Sequence, residues 1–113
     1  MSSAADIALT AIRALDRRND VIAQNIANIN TDGFKKGRAD MVQTTLPGVT
    51  VSTPQVNTPG DTVTIDGVGR ETSNVDAGEE LIALNVNTRS YEANIQTVKT
   101  TQEMQGTLFD IFG

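Results

Sequence analysis

Apolar residues recur at alternating steps of three and four at both ends of this chain. From the N-terminus, Ala5, Ala8, Ile12, Leu15, Ile22, Ile26 and Ile29 share one such ladder, broken only by Asn19. Arg13, Arg17, Asp20 and Gln24 take the opposite side. This spacing returns to one face of a 3.6-residue turn, so it predicts an amphipathic helix with a narrow seam. Ser3, with Asp6 three residues on, reads as its cap. The run Asn28-Ile29-Asn30-Thr31-Asp32-Gly33 collects residues that tolerate turns, and the helix is predicted to end there. Gly33 is expected at positive φ, and Asn25 and Asn28 are expected to cap the helix and bond the following turn.

A second ladder reads Ala77, Leu81, Leu84, Thr88, Tyr91, Ile95, Val98, Gln102, Gln105, Phe109 and Phe112, with Leu108 beside it. Ser73, with Asp76 three residues on, is expected to cap it, and Asp76, Glu79 and Glu80 place negative charge where the helix dipole favours it. No proline interrupts this segment, and some 38 residues at 1.5 Å each make a rod of roughly 57 Å. Between the ladders lie all three prolines and two β-branched runs, Val49-Thr50-Val51 and Thr62-Val63-Thr64-Ile65. With the turn signal Pro59-Gly60-Asp61 they predict a small β-hairpin flanked by irregular chain, too poor in apolar residues to stand alone. The chain thus divides into an N-terminal helix (1–33), a short β-rich insertion (34–72) and a C-terminal helix (73–113). The fold class is mainly α: an antiparallel hairpin of two long, coiled-coil-like helices with a small β-hairpin insertion.

Composition narrows the chemistry. The 113 residues contain no Cys and no His, which removes thiolate and imidazole as nucleophile, base and metal ligand. No metal site and no cofactor site is expected. Nine basic against 14 acidic residues give a net charge of −5, which argues against binding nucleic acid or an anionic membrane surface through overall charge. The longest apolar stretches are two or three residues, as in Ile82-Ala83-Leu84, so no membrane insertion is expected, and no cleavable secretory signal is visible. Glu79 and Glu80 diverge by about 100° on a helix and cannot flank one bond, so a hydrolase built on them is not expected. Lys35, Lys36 and Arg38 form a small basic turn. The C-terminal segment is predominantly acidic, so head-to-tail complementarity between copies is one use for that turn. Asn19, Gln102 and Gln105 interrupt the seams, where polar residues commonly fix register.

Two stretches carry a family resemblance. Ile22-Ala23-Gln24-Asn25-Ile26-Ala27-Asn28-Ile29-Asn30-Thr31-Asp32-Gly33-Phe34-Lys35-Lys36 resembles the N-terminal signature of bacterial flagellar rod, hook and hook-associated proteins. In the other terminal segment, Ser73-Asn74-Val75-Asp76, Glu79-Glu80-Leu81, Tyr91-Glu92-Ala93-Asn94, Lys99-Thr100 and Met104 are similar to the same family's C-terminal signature. The resemblance implies a subunit of the flagellar axial structure, its terminal helices paired in an inner tubular layer. It implies export without a cleavable signal, through the flagellar type III apparatus, to the periplasm-spanning rod of the basal body. The short middle is similar to short rod proteins, whereas the turn Gly33-Phe34-Lys35-Lys36-Gly37-Arg38 is nearer the distal-rod style. In that family the turn residues Asn25, Asn28, Asn30, Gly33 and Phe34 belong to the motif.

Two long seams in so short a chain predict more apolar surface than a hairpin can cover. The residues expected to meet other rod or axial subunits are Ile12, Leu15, Ile22, Ile26, Leu81, Leu84, Tyr91, Ile95, Val98, Leu108 and Phe109. The rival expectation is a soluble helical adaptor that forms a heteromeric bundle with a single partner.

Overall fold

The computed structural model describes residues 4–112 and has the element order α1 (Ala4–Ala27), β1 (Asp40–Gln43), β2 (Val49–Ser52), β3 (Thr62–Ile65), β4 (Val68–Glu71) and α2 (Ala77–Phe112). The predicted cap Ser3 and the side chain of Phe112 lie outside the described residues. The molecule extends 78 × 26 × 14 Å with a radius of gyration of 19.9 Å. A compact chain of this length would have a radius near 13 Å. Its accessible surface is 7819 Å², against roughly 6000 Å² for a compact protein of this mass. Much of the chain is therefore surface.

The two helices lie side by side and run in opposite directions. Asn87 of α2 meets Leu15 and Arg18 of α1, while Glu80 and Ala83 line the same groove as Val21, Ile22 and Asn25. The buried apolar residues among those described, Ala8, Ala14, Leu15, Val21 and Ile22, all belong to α1. α2 offers this face Glu80, Ala83, Leu84, Asn87, Ser90, Tyr91, Asn94, Val98 and Thr101, all buried or half-buried. Burial on α2 stops at Thr101, level with the start of α1, and residues 102–111 are exposed throughout. That overhang is about 16 Å of helix with nothing else among the described residues beside it.

Three expectations are corrected. First, α2 is capped by Asp76, whose Oδ1 accepts from the Glu79 N–H at 3.1 Å. Ser73 Oγ instead accepts from the Val75 N–H two residues on, a local turn that delays the helix to Ala77. Second, the face of α2 against α1 is rotated about one residue from the predicted seam: Asn87 is buried where Thr88 was expected, and Thr88 bonds back to the Leu84 carbonyl. Asn19 is likewise exposed. Third, the insertion holds two antiparallel hairpins. The run at Val49 pairs with Asp40–Gln43, in register Met41 with Val51. The run at Thr62 pairs with Val68–Glu71, in register Ile65 with Val68. Asp66 and Gly67 form the second turn with φ of 52° and 76°, a two-residue connection whose handedness suits the twist of paired strands. Each run thus finds its partner locally, the first across a five-residue connection and the second across a two-residue turn, and the two do not pair with each other.

Candidate functional site

Three asparagines tie the helices to the insertion and to each other. Asn25, 2% exposed, uses both ends of its carboxamide on one residue. Its Oδ1 accepts from the Gly37 N–H and its Nδ2 donates to the Gly37 carbonyl, each at 2.9 Å. Gly37 pairs with Gln55 in an antiparallel bridge. The bonds of that bridge run from Val56 N–H to the Lys36 carbonyl and from Arg38 N–H to the Pro54 carbonyl. Gly37's own polar groups therefore face outward, and Asn25 takes the place of a third strand. Asn74 serves the other end of the same ladder: it accepts from the Lys36 N–H at 2.7 Å and donates to the carbonyls of Val56 and Thr58 at 2.9 Å. Asn87 joins the helices, accepting from Arg18 Nε at 2.9 Å and donating to the Leu15 carbonyl at 3.1 Å. Side-chain amides can both donate and accept, so each closes at least two backbone or side-chain needs, and Asn25 and Asn87 do so where water barely reaches.

The predicted turn residues divide by role. Asn28 donates to the Gln24 carbonyl and accepts from Thr31 Oγ1, so it caps α1 as expected. Asn25 does not; it reaches the insertion. Gly33 has φ of 71°, and its N–H bonds the Glu71 carbonyl at 2.9 Å. Phe34 is half-buried and its carbonyl accepts from the Asn74 N–H, whereas Asn30 is exposed. The basic turn is satisfied within the chain: Lys35 pairs with Glu71, Lys36 with Glu79 and Arg38 with Asp40. The expected use of that turn toward acidic neighbours is thereby weakened. The hydrogen bond from Lys35, the Gly60 N–H and the Lys35 charge hold the Glu71 carboxyl below its ordinary range.

The remaining candidates separate by exposure. Leu15 and Ile22 are buried against α2, and Ile12, Leu84, Tyr91 and Val98 are half-buried. Ile26, Leu81, Ile95, Leu108 and Phe109 are exposed, joined by Ile82, Val86, Met104 and Ile111. Phe109 is 75% exposed, a position that burial rules leave unexplained for an isolated molecule. Asp16 and Glu92 line one shallow groove with Tyr91. Both carboxylates are solvated, without the apolar surroundings that a general-acid carboxyl needs. Among the described residues no three His, Cys, Asp or Glu side chains come together as a metal site, and no helix is long and apolar enough to cross a membrane.

Comparison with known families addresses both helices. Residues 6–35 match the profile described as flagella basal body rod protein, and residues 70–111 match that of the flagellar basal body rod FlgEFG protein C-terminal region. The chain belongs to the flagellar basal-body rod family. A search of curated proteins found no match. The two matched spans hold α1 with its turn and α2 with its cap, so the family pattern covers Asn25, Asn74 and Asn87, and most of both hairpins falls between them. Rod families are structural and non-enzymatic, they associate with other rod subunits, and they belong to the basal body of the flagellum. Sequence reasoning missed Asn74 and Asn87 as linkers. A signal for Asn87 was present: Asn87 and Thr88 both fit the ladder between Leu84 and Tyr91, and a threonine can satisfy itself on its own helix whereas an asparagine reaches across.

Proposed function

We propose that this rod-family chain is a structural subunit that polymerises through its terminal helices into the tubular axial structure of the basal-body rod. The observation that carries this reading is the overhang of α2, where Met104, Leu108, Phe109 and Ile111 are more than half exposed on a stretch of helix that no other element among the described residues covers. Burying these together with Leu81 and Ile95 corresponds to on the order of 5–10 kcal/mol at about 25 cal/mol per Å². Bringing two molecules together costs about 4–15 kcal/mol. One such contact alone therefore holds a dimer weakly, whereas a subunit gripped by several neighbours is secure. Contacts that do not close on themselves propagate as a helical filament. In that assembly the helices form a coiled-coil-like inner layer built from the exposed and half-buried seam residues, and the hairpins lie to the outside. The subunit reaches the periplasm-spanning rod through the type III export apparatus.

Sedimentation of the pure chain, alone and mixed with other rod subunits, tests this reading. Open-ended growth with concentration, or co-assembly, is expected, and the pair Leu108→Asp and Phe109→Ser should abolish it while leaving the helical circular dichroism intact. A monomer at all concentrations that also ignores rod subunits, or a closed one-to-one complex with an unrelated protein as an adaptor would form, overturns it.

A further inference from the structure

We propose that the C-terminal overhang of α2 docks in the groove between α1 and β2 of a second copy of this chain. The inference rests on the polymerisation reading and names one of its contacts. The groove has a volume of about 400 Å³. Buried Ala14 and half-buried Val49 and Val51 form its floor, and exposed Arg13, Arg17 and Thr50 stand at its rim. Among the described residues neither Arg13 nor Arg17 has an ion-pair partner, in contrast to Lys35, Lys36, Arg38 and Arg70. The groove thus presents an apolar trough with an uncompensated basic lip.

The overhang is its complement. Met104, Leu108 and Ile111 succeed one another at steps of four and three and make one exposed stripe with Thr107. Glu103 and Asp110 are seven residues apart and so share a line along the helix within about 20°, flanking that stripe on one side. No basic residue follows Lys99. An apolar stripe with an acidic flank therefore meets an apolar trough with a basic lip, and opposite charges fix which way round the helix lies. The other large groove, between α1, α2 and residues 36–39, fits less well. Its wall contains buried Glu80, and its cations are engaged, Arg18 with Asn87, Lys36 with Glu79 and Arg38 with Asp40. The overhang cannot reach its own chain's groove, because it extends beyond the start of α1 while the groove lies along the middle of that helix.

The chain has no cysteine, so introduced pairs report one contact each. Full-length chains carrying Thr50→Cys and Thr107→Cys are mixed under assembling conditions and oxidised, with Thr50→Cys and Gln96→Cys as the control pair. A disulfide between copies is expected for the first pair and not for the second. The variant R13E/R17E should lower the rate of cross-linking about tenfold, the loss expected for two exposed ion pairs reversed in sign, and E103R/D110R on the other copy should restore it. Polymer that forms without the Thr50–Thr107 link overturns the docking while leaving polymerisation in place, as does a link indifferent to both charge reversals. Failure to link in a chain that also fails to polymerise removes both readings. Circular dichroism and chemical denaturation of each variant show whether a lost link reflects lost folding, and the paired reversal then decides, since its two halves fail singly and succeed together only if they touch.

Discussion

Replacing Asn25 by alanine removes two hydrogen bonds of 2.9 Å from a side chain that is 2% exposed. Each such bond contributes about 0.5–1.5 kcal/mol net, and the Gly37 N–H and carbonyl are left facing the space vacated. Gly37 is half-buried, so water recovers part of that loss, and the expected destabilisation is about 2–3 kcal/mol. In a domain near 100 residues this lowers Tm by roughly 10 °C. Urea denaturation followed by circular dichroism gives the energy, and amide hydrogen exchange at Gly37 gives its location. Asn25→Asp sharpens the test. Ionised, it keeps the bond from the Gly37 N–H but turns a charged oxygen toward the Gly37 carbonyl, which favours the protonated acid in the folded state and raises its folded pKa. Its deficit relative to the native chain should therefore be small below an unfolded aspartate's value of about 3.9 and should grow as pH rises through the raised folded value. A loss below about 0.5 kcal/mol for Asn25→Ala with unchanged exchange at Gly37, or a pH-independent deficit for Asn25→Asp, refutes the idea that this amide substitutes for a strand.

Other consequences follow from the same contacts. The carboxyl of Glu71 is held low by Lys35 and the Gly60 N–H, so what it contributes to the base of the β3–β4 hairpin is present above the ordinary glutamate range. That contribution is lost as pH falls through the depressed folded value. Protection of the Gly60 N–H, measured as exchange relative to the intrinsic rate at each pH, should fall in acid, and Glu71→Gln should remove most of that acid response. A Cβ added at Gly60 would lie 2.0 Å from the Thr72 carbonyl oxygen, whereas one at Gly67 meets open space at φ of 76°. Gly60→Ala should therefore displace the hairpin and cost more than the roughly 1–2 kcal/mol of left-handed strain at Gly67→Ala, a ranking that thermal denaturation reads directly. Asn87→Ala should cost about 1–3 kcal/mol by removing its bonds to Arg18 and the Leu15 carbonyl. Asn87→Leu should recover part of this in stability, while chemical shifts along the helix pair reveal altered register.

The helices were legible because their signals are redundant: apolar spacing, acidic first turns and the absence of proline all agree. Their mutual orientation was not. Apolar residues of α2 spread around much of its circumference, from Leu81 and Ile82 through Val86 to Ile95, and the side turned to α1 is chosen by what α1 can satisfy. Leu15 and Ile22 supply apolar cover there, and the Leu15 carbonyl and Arg18 welcome Asn87. The partner face consequently mixes Glu80, Asn87, Ser90 and Asn94 with Leu84, Tyr91 and Val98, and much of the oily surface stays outside. The hairpins show a different blindness. Two β-branched runs suggested partners for each other, but Asp66-Gly67 sits just after the second run and is itself a strong signal for a local turn. Val49 likewise had a neighbour, Met41-Val42, too short and too exposed to stand out. From spacing alone Asn25 reads as a cap of its own helix end, since its partner Gly37 lies across a turn whose path spacing does not fix.

The α2 helix runs unbroken from its seat on α1 to its bare tip, so the two ends share one angular phase. Removing a single residue between Thr101 and Met104 would leave every contact with α1 untouched yet swing Leu108 and Phe109 through about 100° and draw them back 1.5 Å. Removing four would keep their bearing within about 40° and only shorten the reach. Evolution can therefore alter the length of this tip in whole turns far more freely than by single residues.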